Sequence, residues 1–189
     1  MGTTGKVTDE NVSVVRGESA VLLRRIGLEG GKVNILAIDP GPVESAYVIF
    51  DVTRKEIISK EIIPNYNLLS RLSEADFDRI AIEMVASYGM PVGKDIFETC
   101  VWIGRFIQTS AFEGFPVHLI YRKDVKMALC GNLRAKDANI RQALLDMLGK
   151  EKTKGVHKDM WSALAVAMTH IQTHHKTEEA CKIAEDAGL

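Results

Sequence analysis

Cysteine is scarce in this chain, and apolar runs of membrane length are missing. Three cysteines, Cys100, Cys130 and Cys181, are odd in number and widely spaced, which argues against a disulfide framework or a zinc knuckle. They read as reduced, mostly buried thiols. No apolar run approaches the ~20 residues a membrane helix needs, and the opening MGTTGKVTDE lacks the basic-then-apolar order of a signal peptide. A cytoplasmic protein with no membrane partner is the expectation. Neither a repeat nor a low-complexity segment occurs. The 189 residues, 46% hydrophobic and 26% charged, suit one soluble domain with a substantial core.

Residues 1–31 are polar apart from AVLLRRIGL and end in Gly-Gly; they read as an extension with a short helix near 18–26. Short apolar runs rich in β-branched residues then follow at 33–39, 46–52 and 55–64. Their short connections, Pro-Gly at 40 and 41 among them, predict an antiparallel meander. NLLSRLSEADFD reads as a helical turn or two, and RIAIEMV (79–85) as a fourth strand. In residues 94–113, Ile96, Cys100, Ile103 and Ile107 recur at helical spacing before Gly114. PVHLIY (116–121) is a fifth strand, residues 136–149 a helix and residues 157–175 a final helix rich in small residues. The expected architecture is α/β, with a five-stranded mixed sheet, three antiparallel strands then parallel ones, flanked by helices. The domain spans 32–175, with 176–189 a C-terminal helical tail.

Net charge is only −1, but the distribution is uneven. From Arg122 to Lys158 ten Lys or Arg face four Asp or Glu, whereas the rest of the chain carries 14 basic and 21 acidic residues. A basic stretch on an acidic body suggests a polyanion-binding face. Arg122, Lys123, Arg134, Lys154 and Lys158 are its candidate phosphate contacts.

Two strands end in acids before a turn: Asp39 in ILAIDPG and Glu83 in IAIEMV. If these strands are parallel neighbours, both carboxylates come within reach of one metal ion. Asp159, opening the last helix in VHKDMWSALA, joins them if small residues let that helix pack closely on the sheet. Each acid alone also has an ordinary reading: a turn residue, a surface acid, a helix N-terminal charge. Together they suit hard divalent cations, Mg²⁺ or Mn²⁺, and two such ions about 4 Å apart can hydrolyse a phosphodiester.

ILAIDPGPVESAYVIFD, IAIEMV and DMWSALAVAMTH together resemble the RuvC Holliday junction resolvases of the RNase H-like superfamily, over roughly residues 33–172. The short 65–76 segment points to a divergent or phage-type member. The resemblance implies an RNase H-like fold and a homodimeric crossover junction endodeoxyribonuclease using two Mg²⁺, for which Mn²⁺ can substitute. Asp39 would bridge the ions, Glu83 would bind one and Asp159 the other. Lys126 and Lys136 fall where the family has lysines near the scissile phosphate. This chain has Ser162 where the family commonly has a second acid one turn into the last helix, and His157 is a candidate for the missing ligand or general base. The family stacks an aromatic residue on DNA shortly after the glutamate; this chain has Ala86 there, and Tyr88 is the nearest substitute. Phe97, Trp102 and Phe106 on the long helix read as core, with any exposed remainder at the dimer interface. His170, His174 and His175 read as surface residues at a fraying helix end.

The expected function is metal-dependent, structure-selective resolution of four-way DNA junctions by paired nicks. A general flap or fork nuclease and a non-catalytic junction-binding protein are the alternatives. An actin-like nucleotide phosphotransferase shares the Asp-Pro-Gly turn, but no second phosphate loop is visible. No base-reading motif indicates a preferred cleavage sequence.

Overall fold

Alternation of side chains along the strands divides the core in two. The computed structural model describes residues 33–74, 76–87, 89 and 91–186, with side chains to residue 173; the expected N-terminal extension and its helix lie outside the described residues. Strands β1 (Asn34–Asp39), β2 (Glu44–Asp51), β3 (Glu56–Pro64), β4 (Arg79–Met84) and β5 (Val117–Tyr121) form one sheet in the order β3-β2-β1-β4-β5. The β3-β2-β1 pairs are antiparallel, and β1-β4 and β4-β5 are parallel. This is the mixed sheet expected.

The helices are α1 (Asn65–Arg71), α2 (Lys94–Phe112), α3 (Arg122–Cys130), α4 (Asp137–Leu148) and α5 (Met160–Asp186). On one sheet face Leu36, Ile38, Ile80 and Ile82 pack with Leu68 of α1 and Trp102, Ile103 and Phe106 of α2. On the other, Ile35, Ala37, Ala46, Val48 and Ala81 pack with residues of α3, α4 and α5. Period-two alternation therefore assigns every odd position of β1 and β4 to the α5 side, and Asp39 and Glu83 are odd.

Along α5 every residue from Ala163 to His170 is buried, the pattern of a helix enclosed on all sides. Ala163, Ala165 and Ala167 keep it thin enough to lie against the small side chains Ala37, Ala46 and Ala81. Its extension to Asp186 corrects the expectation for His170, which is 1% exposed with its ring 4.6 Å from that of His118. The helix continues past 175, so His170 sits in its interior. The side chains of His174 and His175, and that of Cys181, lie outside the described residues.

The long helix α2 is rotated relative to its expected stripe. Its buried residues are Thr99, Trp102, Ile103, Phe106 and Ser110, while Ile96 and Cys100 are exposed. Trp102 and Phe106 have more apolar area to bury than Ile96 and Cys100 and so decide the rotation. Phe97, expected in the core, is 61% exposed, and Cys100 is not the buried thiol expected; Cys130 is half-buried. Helix α3 is hidden from the hydrophobic pattern by its charges. Its signals are Val125 and Leu129 four apart, an Asp124 carboxylate accepting the Tyr121 amide at 3.2 Å, and Gly131 in the left-handed conformation at φ 62°.

Two polar locks hold β1. At its start the Asn34 amide donates to Asp78 at 2.7 Å, the Asp78 amide donates to the Asn34 carbonyl at 2.8 Å, and the Asn34 side chain donates to the Asp76 carbonyl. These bonds tie the entries of β1 and β4 together. After its end, Ser45 Oγ accepts the Gly41 amide and donates to Asn65 Oδ1 at 2.6 Å, and Asn65 Nδ2 donates to the Gly41 carbonyl at 2.9 Å. A Cβ on Gly41 would meet the Glu44 carbonyl oxygen at 2.4 Å, so the turn closes only around glycine. Replacing Asn65 with Ala leaves the buried Ser45 hydroxyl and the Gly41 carbonyl without this partner, a cost of about 1–3 kcal/mol. At about 2–4 °C per kcal/mol for a chain of this size, thermal unfolding of Asn65→Ala should fall by several degrees; an unchanged Tm would remove this role from Asn65.

Candidate active site

Parallel pairing brings the first two acids together. Ile38 pairs with Ile82, so Asp39 and Glu83 follow side by side, both on the face covered by α3, α4 and α5. Asp159 immediately precedes α5, whose first turn begins with the Ala163 amide donating to the Asp159 carbonyl at 3.1 Å. One turn on, the Ser162 hydroxyl lies near enough to the Asp39 carboxylate to favour its ionised form. The residue standing where an acid was expected therefore does reach the cluster, as a neutral hydroxyl.

Asp39 is the electrostatic centre of the group. Burial, then Glu83, then Asp159 push its carboxyl up from 3.8 to about 7, against the opposing effects of Arg122 and Ser162. Glu83 is also raised, first by burial, with Arg122 lowering it and Asp137 raising it further. The Asp39 carboxyl thus feels both Glu83 and Asp159, while Glu83 feels Asp137. Among the described residues no three His, Cys, Asp or Glu side chains form a ready-made cage around one point. The donor set nevertheless fits hard cations. It consists of carboxylate oxygens and a hydroxyl, with one central carboxylate whose ionisation is costly until positive charge arrives.

Arg122 supplies part of that charge. Expected as a phosphate contact, it lies inside the acidic group, with Nη1 3.6 Å from Glu83 and Nη2 2.5 Å from Asp137. Burial works against its charge, but Glu83, Asp137 and Asp39 together outweigh this and raise its pKa above the usual arginine value. Asp137 was not singled out in the sequence, where an acid in the first turn of a helix reads as an ordinary capping charge; only the fold brings it opposite Arg122.

The other candidates surround this centre unevenly. His157 and Lys158 are exposed and line a cleft of ≈590 Å³ that also contains Asp159, Ser162 and Arg122. Lys123 and Lys126 share a hollow of ≈320 Å³ with Arg122 and Leu133. Lys136 is exposed just before α4, its amide donating to Asn139 Oδ1 at 2.9 Å. Arg134 lines a separate ≈320 Å³ cavity with Cys130, Asn139 and Asp146. Lys154 is exposed in the connection between α4 and α5, and Tyr88 lies outside the described residues. Lys152 of the same basic stretch is structural: its ammonium donates to the carbonyls of Arg54 and Lys55 at 3.0 and 3.1 Å.

No protein-family model and no curated protein sequence matches the chain. Solved structures do. RuvC from Thermus thermophilus superposes with a TM-score of 0.62 at 18% identity, covering 77% of this chain and 97% of that one. T. thermophilus RuvC in complex with Holliday junction substrate gives 0.63 at 18%, covering 76% and 96%. The yeast mitochondrial Holliday junction resolvase gives 0.61 at 12%, covering 89% and 92%. The chain shares the fold of these solved structures.

The raised carboxyls set the pH dependence of metal-free stability. A group at about 7 in the folded chain and 3.8 unfolded leaves the native state holding more protons between those values, so stability falls as pH rises from about 4 to about 7. Glu83 acts in the same direction. In EDTA at pH 8, Asp39→Asn should therefore melt above the wild type, by at least the ~2–4 °C that 1 kcal/mol produces, and the difference should vanish near pH 4. Differential scanning calorimetry checks this; a variant less stable at pH 8 would contradict the assigned burial of charge.

Proposed function

We propose that this chain is a Mg²⁺-dependent, structure-selective DNA endonuclease that resolves four-way junctions by paired nicks. The observation that carries the reading is Asp39: a carboxyl raised to about 7 by burial and by the charges of Glu83 and Asp159, at the end of a central strand. A structural core has no use for two acids side by side on paired strands with a third within their electrostatic reach, whereas a phosphodiesterase needs them. Asp39 would bind both ions, with Glu83 completing one site and Asp159 the other. Held by these carboxylates, two Mg²⁺, or Mn²⁺ in their place, would supply the charge that activates water and stabilises the leaving oxygen.

The remaining roles belong to side chains around the cluster. Ser162 orients the Asp39 carboxylate and can hold a water against it. His157, exposed beside Asp159, is the candidate general base. Lys123 and Lys126, on the same hollow as Arg122, would hold the strand near the scissile phosphate, with Lys136, Arg134, Lys154 and Lys158 extending the track. Tyr88 is kept as the stacking candidate. Arg122 offsets Glu83 and Asp137 before any cation binds, a role different from phosphate contact.

Paired nicking requires two active sites, and α2 offers a surface for a homodimer. Phe97 and Val101, 61% and 56% exposed, fall with Gly104, Gln108 and Phe112 at spacings of three and four, on the side of the helix opposite its buried stripe. An uncovered apolar stripe of this kind suits a symmetric contact. Val101→Asp should convert a dimer to a monomer in sedimentation velocity without lowering Tm by more than a few degrees; an unchanged dimer would put the contact elsewhere.

The decisive measurement is cleavage of a labelled four-way junction in Mg²⁺, beside flap and linear duplex controls. The expected outcome is paired nicking, preferred at least tenfold over the flap, with loss of about 10³-fold or more in Asp39→Asn, since several kcal/mol of transition-state stabilisation are removed. At limiting Mg²⁺ the rate should climb as pH rises through about 7, because ion binding competes with the proton on Asp39. Equal cutting of flap and junction would favour a general branched-DNA nuclease. Tight junction binding without cleavage in any divalent cation would make the chain a binding protein.

A further inference from the structure

The cleft beside Asp159 contains chemistry that phosphate binding does not require. Its ≈590 Å³ lies within the size range of pockets that hold a small ligand. One wall is a stacked pair: the Arg141 guanidinium carbon lies 4.8 Å from the centre of the Trp161 ring. Trp161 is half-buried and packed against the core, so the indole is fixed. Arg141, on α4, is exposed to solvent, so the pair is not sealed within the core. Trp161 is the neighbour of Ser162 and stands two residues from Asp159, so this wall begins within one helical turn of the acids. Lys158, which also lines the cleft next to Asp159, holds φ 47°, in the left-handed region that residues with a Cβ seldom occupy.

A phosphate track needs cations alone. A guanidinium supported by an indole is instead a flat surface of the kind on which nucleobases stack. We infer that this cleft is a nucleobase subsite. It takes the base of one nucleotide adjoining the scissile phosphate, stacked on the Arg141–Trp161 pair, with Lys158 at the flanking phosphate. The inference rests on the nuclease reading of the neighbouring acids and deepens it. A base must leave its stack to enter the cleft, and that costs least for a nucleotide already unstacked at a branch point. The subsite therefore gives a physical basis for choosing branched over linear DNA without any contact that reads sequence.

The test combines a change in the DNA with a change in the protein. Junctions carry a single abasic residue at each nucleotide flanking the cleaved bond in turn and are cut under single-turnover conditions by wild type, Arg141→Ala and Arg141→Lys. At one of the two positions the missing base should slow wild type about tenfold, within the range for loss of one stacked base. Both variants should slow on intact DNA by a similar factor, Arg141→Lys included although it keeps its charge, and the abasic residue should then cost them little more. Wild-type rates with Arg141→Lys, or losses that simply multiply, would overturn the subsite in favour of a phosphate contact or no contact. The same cycle run on binding in Ca²⁺ separates this inference from the nuclease reading. Coupling in binding without Mg²⁺ cleavage overturns the nuclease alone, and cleavage without coupling overturns the base subsite alone.

Discussion

The parallel pairing of β1 with β4 is the constraint on which the candidate site depends. Because Ile38 pairs with Ile82, the next residue on each strand is an acid, and both acids point to the face beneath α5. A one-residue slip in that register would send one of the two carboxylates to the α2 side, into an apolar layer, where an isolated charge is very costly. The bonds joining Asn34 to Asp78 and Asp76 hold that register at the strand entries, and the Gly41, Ser45 and Asn65 network fixes the turn that follows Asp39. The stability of the sheet is thus spent partly on holding like charges together. The carboxyl of Asp39 records the result.

Counting charges along the chain overstates the cationic surface. Of the ten basic residues between 122 and 158, Arg122 is engaged by Glu83 and Asp137, Lys152 anchors the α4–α5 connection to the β2–β3 turn, and Arg141 lies on Trp161. Lys158 lines the cleft with Asp159, and Lys123 and Lys126 line the hollow with Arg122. A basic run thus divides into counter-ion, fastener, stacking surface and candidate phosphate contacts, roles that share a charge and differ in what each cation faces.

Helix α2 and the histidines illustrate a different limit. A stripe of Ile96, Cys100, Ile103 and Ile107 is as regular as the buried one, because helical spacing is satisfied by neighbouring choices of face. The larger aromatic side chains Trp102 and Phe106 determined which face turned inward. Similarly, His170 looked peripheral only while the final helix was expected to end at 175.

The strands, their order of appearance, the glycine stops at 114 and 149, and the alignment of Asp39, Glu83 and Asp159 with strand and helix ends were determined by the sequence alone. Local periodicity, turn chemistry and motif spacing act between near neighbours and are written in the residues themselves. Tertiary structure decided what lies opposite each charge: Ser162 beside Asp39, Arg122 turned inward to Glu83 and Asp137, Arg141 over Trp161. Those contacts join elements far apart in the chain, and they follow from the packing of α3, α4 and α5 on one sheet face. No local pattern encodes that packing, because burial and Coulomb energies depend on distance in space rather than separation in sequence.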